Sequence, residues 1–410
     1  MIRTLTPVLL LALALPATAQ NTVTVSTAAG NAEQVWYSLQ NGEVATAALA
    51  DWDLAFEIAG FTASIRVNTQ KGMRVFKAPY AVQDWASLDT TGMLATWKEV
   101  HDSDTSWSHG ALNDGLTSNE FDLGWGVYNQ VTHIVAGDSA FVLQLANGDW
   151  KKLRIDGLAT GTYAFTWANV DGSDEQSGSL NKGAFMGKNF GYYSFANGVA
   201  DLEPLSADWD LVFTKFIGYV PSAYPVAGVL QNKDVPALQI DGVPTDQADW
   251  TSAPFDSVIN VIGSDWKTFN MQTFQYEYPA DRTYFVKDRS GNVWKLIFTE
   301  YGGSANGDMT FTQELVSATS VDELTADRGV VTVYPMPVQN GLANLVLDVP
   351  VQQLDVTVHD LGGRVVRQER LGGLDGLVQR TVDLAGTPAG LYVMRLQAAG
   401  FDRSVRLVVE

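Results

Sequence analysis

Cysteine is absent from all 410 residues, which excludes disulfide staples, a thiol nucleophile and a lipid anchor on an N-terminal thiol. Histidine is scarce, with four in the chain, so imidazole chemistry is confined to His101, His109, His133 and His359. Positive charge is also thin: 26 basic residues stand against 46 acidic ones, a formal charge of −20. That balance repels nucleic-acid backbones and anionic membrane surfaces and keeps an exported protein dispersed. Long apolar runs are missing too, since none approaches the roughly 18 to 20 residues of a membrane-spanning helix. Enzyme signatures are likewise lacking: there is no His-Glu-x-x-His, no Gly-x-Ser-x-Gly and no phosphate-binding loop, Gly183 to Lys188 having the wrong spacing. The expectation is a protein that binds rather than transforms, with a glycosidase-like carboxylate pair as the one hydrolase chemistry left open.

What is present begins with an export signal. Arg3, an apolar run from Val8 to Leu15 and Ala17-Thr18-Ala19 form a secretory signal peptide over 1–19, with cleavage between Ala19 and Gln20. With no disulfides, stability must come from packing, and 12 Trp, 14 Tyr and 18 Phe supply the area. Composition changes near residue 329. Every Trp and Lys lies before it, whereas the remainder uses only Arg as a cation and has Tyr334, Tyr392 and Phe401 as its aromatics. This predicts a separately folding unit over 329–410, joined by a linker at 319–328.

The body repeats itself. Trp36-Tyr37-Ser38 with Asn41-Gly42, then Asp51-Trp52-Asp53-Leu54, returns as Tyr192-Tyr193-Ser194 with Asn197-Gly198, then Asp208-Trp209-Asp210-Leu211. Later blocks match in the same order: Phe141-Val142 with Phe285-Val286, Asn147-Gly148 with Ser290-Gly291, and Gly161 to Thr166 with Gly307 to Thr312. This is a duplication, with repeats expected at 20–182 and 183–318. Trp52, Leu54 and Phe56 alternate with Asp51, Asp53 and Glu57, the period of a half-buried strand. Asn147-Gly148 predicts a type I′ hairpin turn.

The tail motifs are Tyr334-Pro335-Met336-Pro337, His359-Asp360 followed by Gly363-Arg364, and Gly390-Leu391-Tyr392. They resemble the type A sorting domain of type IX secretion, with Met336 where Asn is usual and Arg in place of terminal lysines. The resemblance implies an Ig-like β-sandwich, passage through the periplasm, export across the outer membrane, and handling by the secretion machinery and its sortase. Each body repeat, on the W-Y-S-x-x-N-G and D-W-D-L-x-F blocks, Ile65 to Asn68, and the hairpin from Thr283 to Phe298, resembles the HmuY family of surface haem-binding proteins. The expected fold is all-β: two tandem HmuY-like antiparallel domains plus the sorting sandwich. The implied cofactor is haem, with no other metal.

His133 and either His101 or His109 are the axial candidates, imidazole being the usual protein ligand of haem iron. His133 aligns with Phe274 of the second repeat, so it is either a ligand or a strand residue where a phenyl ring would pack. His101 and His109 flank a polar loop whose Trp107 could stack on a flat ligand. The second repeat has no His and would have to use Met271, Met309, Tyr276 or Tyr278. His359 reads as a surface residue of the tail. The pairs Trp36-Tyr37 and Tyr192-Tyr193 offer either a sugar-stacking platform or a core residue beside a rim residue. The rival reading is therefore a surface adhesion module binding glycan or protein without haem.

Overall fold

The computed structural model describes residues 20–317 and 330–409, apart from 61, 116–117, 220–221, 335–336, 339–340, 349–350, 361–362, 375–377 and 399–400. The signal peptide with Ala19 and the linker at 319–328 lie outside the described residues; Gln20 is the first within them. The chain divides into two compact units, Met1–Ala318 and Thr319–Glu410, and it is almost entirely β.

The first half of the body contributes β1 (Asn21–Ser26), β2 (Glu33–Ser38), β3 (Gly42–Ala48), β4 (Leu54–Glu57), β5 (Ile65–Val67), β6 (Arg74–Ala81) and β7 (Lys98–Glu99). It continues with β8 (Gly126–Asn129), β9 (Ile134–Gly137), β10 (Ser139–Gln144), β11 (Trp150–Ala159) and β12 (Thr162–Asn169). Then follow β13 (Gln176–Asn181), β14 (Phe190–Ser194), β15 (Gly198–Ala200), β16 (Leu211–Gly218), β17 (Tyr224–Gln231) and β18 (Ala237–Ile240). The body ends with β19 (Thr268–Asn270), β20 (Gln275–Glu277), β21 (Thr283–Lys287), β22 (Val293–Tyr301) and β23 (Asp308–Ser317).

These strands do not form two tandem domains. The opening hairpin of the first repeat, β2–β3, extends the second repeat's β16–β17 in the order β17-β16-β2-β3, and β14–β15 joins the first repeat's strands as β15-β14-β4-β5. The outer sheets are β13-β12-β11-β10-β6-β7 and β1-β23-β22-β21-β18, so the first strand of the body completes the last sheet. The boundaries 20–182 and 183–318 thus mark repeats in sequence, while the folding unit is the interleaved whole.

Side-chain clusters show why. Leu54, Phe56, Ile65 and Tyr193 pack against Phe141 and Phe165 of one outer sheet. Val35, Tyr37, Leu211 and Phe213 pack against Phe298 and Phe311 of the other. Between the inner sheets lies a third cluster with Trp36, Trp52, Phe190, Tyr192, Trp209 and Phe216. The central strands β2, β4, β14 and β16 of the inner sheets are therefore buried on both faces, and each fully buried large apolar side chain contributes about 1.5–3 kcal/mol. The half-buried pattern expected at β4 is corrected accordingly. Trp52 joins the central cluster, Leu54 and Phe56 the adjacent one, and Asp53 and Glu57 are buried. Similarly, Trp36, Tyr37, Tyr192 and Tyr193 are all buried, which removes the sugar-stacking platform.

The repeated motifs are latches between halves. Asp53 Oδ2 accepts from Phe195 N at 2.7 Å, and Asp210 Oδ2 accepts from Leu39 N at 2.8 Å. Within each half, Asn68 Nδ2 donates to the carbonyls of Leu49 and Trp52, as Asn232 Nδ2 does to Ser206 and Trp209. Asn147-Gly148 does close a hairpin, but not as type I′. Gly148 N donates to Leu145 O and only the glycine has positive φ, at 92°, giving a three-residue loop with a left-handed last residue. Gly291 repeats this at φ 84°.

The tail pairs β24 (Val330–Tyr334), β25 (Leu342–Asp348) and β28 (Val378–Asp383) in one sheet, and β26 (Gln353–Asp360), β27 (Val365–Gly372), β29 (Gly390–Ala398) and β30 (Phe401–Val409) in another. Leu345, Leu347, Val356, Met394, Leu396 and Leu407 share its core, the expected sandwich. Asp360 Oδ1 accepts from Arg364 N, and Tyr392 Oη donates to Pro388 O at 2.8 Å. Both motif residues thus fasten turns. His359 lies on β26 with Nδ1 3.3 Å from Gly363 O, a turn contact.

Interleaving predicts that neither repeat folds alone. A 20–182 fragment should show no cooperative urea transition by circular dichroism, and a stable monomeric fragment would overturn the shared architecture. In the full chain, Asn232→Ala should lower stability by at least about 2 kcal/mol through carbonyls left buried and unpaired.

Candidate functional site

His101 and His109 lie on the segment between β7 and β8, and they line one cleft with Lys98, Glu99, Asp114 and Tyr219. His101 is half-buried, its Nδ1 is buried without a hydrogen-bond partner, and its ring sits 6.3 Å from that of Tyr219. His109 is exposed, and its carbonyl accepts from Ser103 N at 3.0 Å.

This segment is not the free loop its composition suggests. Asp102 is buried and accepts from Ala111 N at 2.8 Å and Val67 N at 3.3 Å, satisfying strand β5. Burial pushes its carboxyl up, opposed by Arg66 3.6 Å away. Arg66 donates to the carbonyls of Ser103 and Ser106 and stacks over Trp107 at 4.9 Å. Trp107 turns away from both histidines: its Nε1 donates to Gln231 O of the second repeat at 2.8 Å, and its ring packs on Phe190. It anchors the two halves rather than closing over a ligand. Composition could not reveal this, because the partners of Asp102 and Trp107 are remote in sequence.

His133 is placed elsewhere. It closes the β8–β9 turn at φ 57°, with Nδ1 2.7 Å from Tyr128 Oη. Phe274 closes the β19–β20 turn at φ 55°, and Asn129 and Asn270 cap the two turns alike. The alignment of His133 with Phe274 therefore holds in three dimensions, but at an exposed tip instead of within a strand. Neither His133 nor Trp107 is among the residues lining the cleft of His101 and His109, so the expected pair of His133 with His101 or His109, and Trp107 stacked beside it, does not assemble. In the second half, Met309 is fully buried core, Tyr276 and Tyr278 pack against that core, and Met271 is 73% exposed.

A haem would find two imidazoles in the cleft, but few walls to suit it. Val100 and Ala111 are its aliphatic lining, beside Glu99 and Asp114, whereas a buried tetrapyrrole needs apolar slabs on both faces. Those carboxylates are already engaged, Glu99 by Arg74 at 2.7 Å and Asp114 by Lys98 at 2.7 Å, so they do not form a free hydrolytic pair. Among the described residues no group of three or more His, Asp or Glu could hold a metal ion.

The tips themselves are conspicuous. Phe269 is 42% exposed and Phe274 70%, and across the β8–β9 turn Val131 is 89% and Ile134 40% exposed. The rings of Phe269, Phe274 and Tyr276 meet edge to face, at 69° and 61°.

A second cavity lies between the inner sheets, lined by Gln34, Trp36, Trp52, Arg66, Trp107, Tyr192, Glu203 and Trp209 among others. Glu203 is 2% exposed and accepts from Asn189 N, Phe190 N and Tyr192 Oη. Burial raises its pKa to about 8 despite those bonds, so it is mostly neutral at pH 7.

Comparison with known proteins agrees with the tail. Residues 332–410 match the secretion system C-terminal sorting domain, so the module is a type IX secretion sorting tail and the chain is exported to the cell surface or secreted. The match makes the type IX machinery a partner of the tail. No curated protein matches the chain. A solved structure that does match is PorZ, described as an essential bacterial surface component of the type IX secretion system of Porphyromonas gingivalis. It is 10% identical over 73% of this chain and 47% of its own, at a TM-score of 0.16. The chain thus spans about half the length of PorZ, and a superposition that loose carries no argument. Among the described residues no helix is long and apolar enough to cross a membrane.

Because the Glu203 pKa rises from 4.5 to about 8 on folding, its proton adds stability that is complete below pH 4.5 and gone above pH 8. Urea unfolding should show a decline on the order of a few kcal/mol across that window. Glu203→Gln should flatten it, and an unchanged decline in the variant would disprove the assignment.

Proposed function

We propose that the body is a binding module displayed outside the cell, and that it engages a protein partner through the apolar tips of its two related hairpins. The observation that carries this reading is the cluster of Phe269, Met271 and Phe274 left in water on one hairpin. Large apolar side chains gathered at one exposed site mark interaction surfaces, and aromatic and Met anchors dominate such contacts. Edge-to-face rings present no flat platform for a sugar, which favours a protein over a glycan. The sorting tail supplies the location in which such a module works.

Labelled full-length protein applied to cells of the producing bacterium that lack this chain should bind saturably. The triple variant Phe269→Ser, Met271→Ser, Phe274→Ser should bind at least about tenfold more weakly with its melting temperature unchanged, since exposed positions contribute little to stability. Equal binding by the variant would refute the reading.

The second reading follows the HmuY resemblance and rests on His101 and His109 sharing one cleft, with a buried, unpartnered Nδ1 on the former. Haem would then sit at the cleft mouth, largely in solvent, with the iron's axial positions taken by imidazole. Hemin titration should give a Soret shift lost in His101→Ala with His109→Ala and retained in His133→Ala. A shift that survives the double variant would reject this site.

A further inference from the structure

The cavity between the inner sheets is built around the local pseudo-twofold relation of the repeats, and it is polar where a core should be dry. Four atoms of its lining side chains are buried without a hydrogen-bond partner: Trp52 Nε1, Trp209 Nε1, Gln34 Nε2 and Gln70 Oε1. Trp52, Trp209 and Gln34 are 3%, 2% and 5% exposed. A lost hydrogen bond at a buried donor costs about 1–3 kcal/mol, so three such donors around one space imply an occupant with acceptors.

The shape of that occupant follows from how the repeats differ. Trp52 and Trp209 are equivalent residues of the two D-W-D-L motifs, and Trp36 answers to Tyr192. Two other equivalent pairs have diverged: Gln34 stands opposite Phe190, and Arg66 opposite Leu230. Each wall thus carries one polar and one apolar member of these pairs, Gln34 with Leu230 on one sheet and Arg66 with Phe190 on the other. The space measures about 40 Å³, room for about three waters or a solute of about four heavy atoms.

We propose that this cavity binds a small monocarboxylate of the size of acetate. Its oxygens accept from the Trp52 and Trp209 indoles and the Gln34 amide, with the Arg66 guanidinium in the same lining, and its short alkyl end packs among the apolar lining side chains. A protonated Glu203 adds a further donor, so the acid and the bound carboxylate share a proton instead of repelling. This inference is independent of the hairpin tips and of the histidine cleft, because none of its residues belongs to either.

Calorimetric melting of the full chain at pH 6 tests it. Sodium acetate should raise the melting temperature saturably, sodium chloride at matched ionic strength should not, and acetamide, the neutral isostere, should be at least about tenfold weaker. Trp52→Phe with Trp209→Phe should abolish the acetate shift, read against the variant's own ligand-free melting temperature because the lost indole volume also costs packing. Should that pair fail to fold, Gln34→Leu asks the same question with one change and should weaken the shift. No saturable rise, a rise equal in chloride or acetamide, an unaltered shift in the variants, or water alone in electron density after an acetate soak would each overturn the proposal.

Discussion

The fold depends on burying the central strands of two four-stranded sheets on both of their faces. A sheet with no solvated side must satisfy every polar group internally, and here the partners come from the opposite repeat. Asp53 reaches the turn at Phe195, Asp210 reaches the turn at Leu39, and Glu57 meets Lys233 at 3.1 Å. Each carboxylate gains a partner from the other half, added to those of its own half such as Lys71 for Asp53 and Ser64 N for Glu57. Cooperativity between the repeats is therefore chemical as well as steric.

Within that frame the repeats were free to diverge wherever a side chain does not hold a latch. The motif residues keep their type and their bonds in both halves. By contrast His133 faces water where Phe274 does, Arg66 and Leu230 line opposite walls of one cavity, and Gln34 answers Phe190. Chemistry has collected at those unmatched positions, on an axis where symmetry would otherwise make both walls the same.

The sorting tail follows a different economy. Its sandwich has its own core, and its motif residues Asp360 and Tyr392 are turn fasteners. Those are local interactions, short in sequence separation, which is why the module was legible from its motifs. The body's turns were legible for the same reason: Ser38 and Ser194 accept from the amides of Asn41 and Asn197, three residues on.

Sequence by itself determined the β character, the duplication, the positions of the turns and the address outside the cell, because each of these depends on periodicity or on contacts between near neighbours. Only the tertiary structure decided that the repeats exchange strands, that Trp107 locks the halves, that His133 leaves His101 and His109, and that a polar cavity sits among tryptophans. Those outcomes hang on partners more than a hundred residues apart, such as Trp107 with Gln231, and a strand's alternation does not say whether its second face meets water or another sheet.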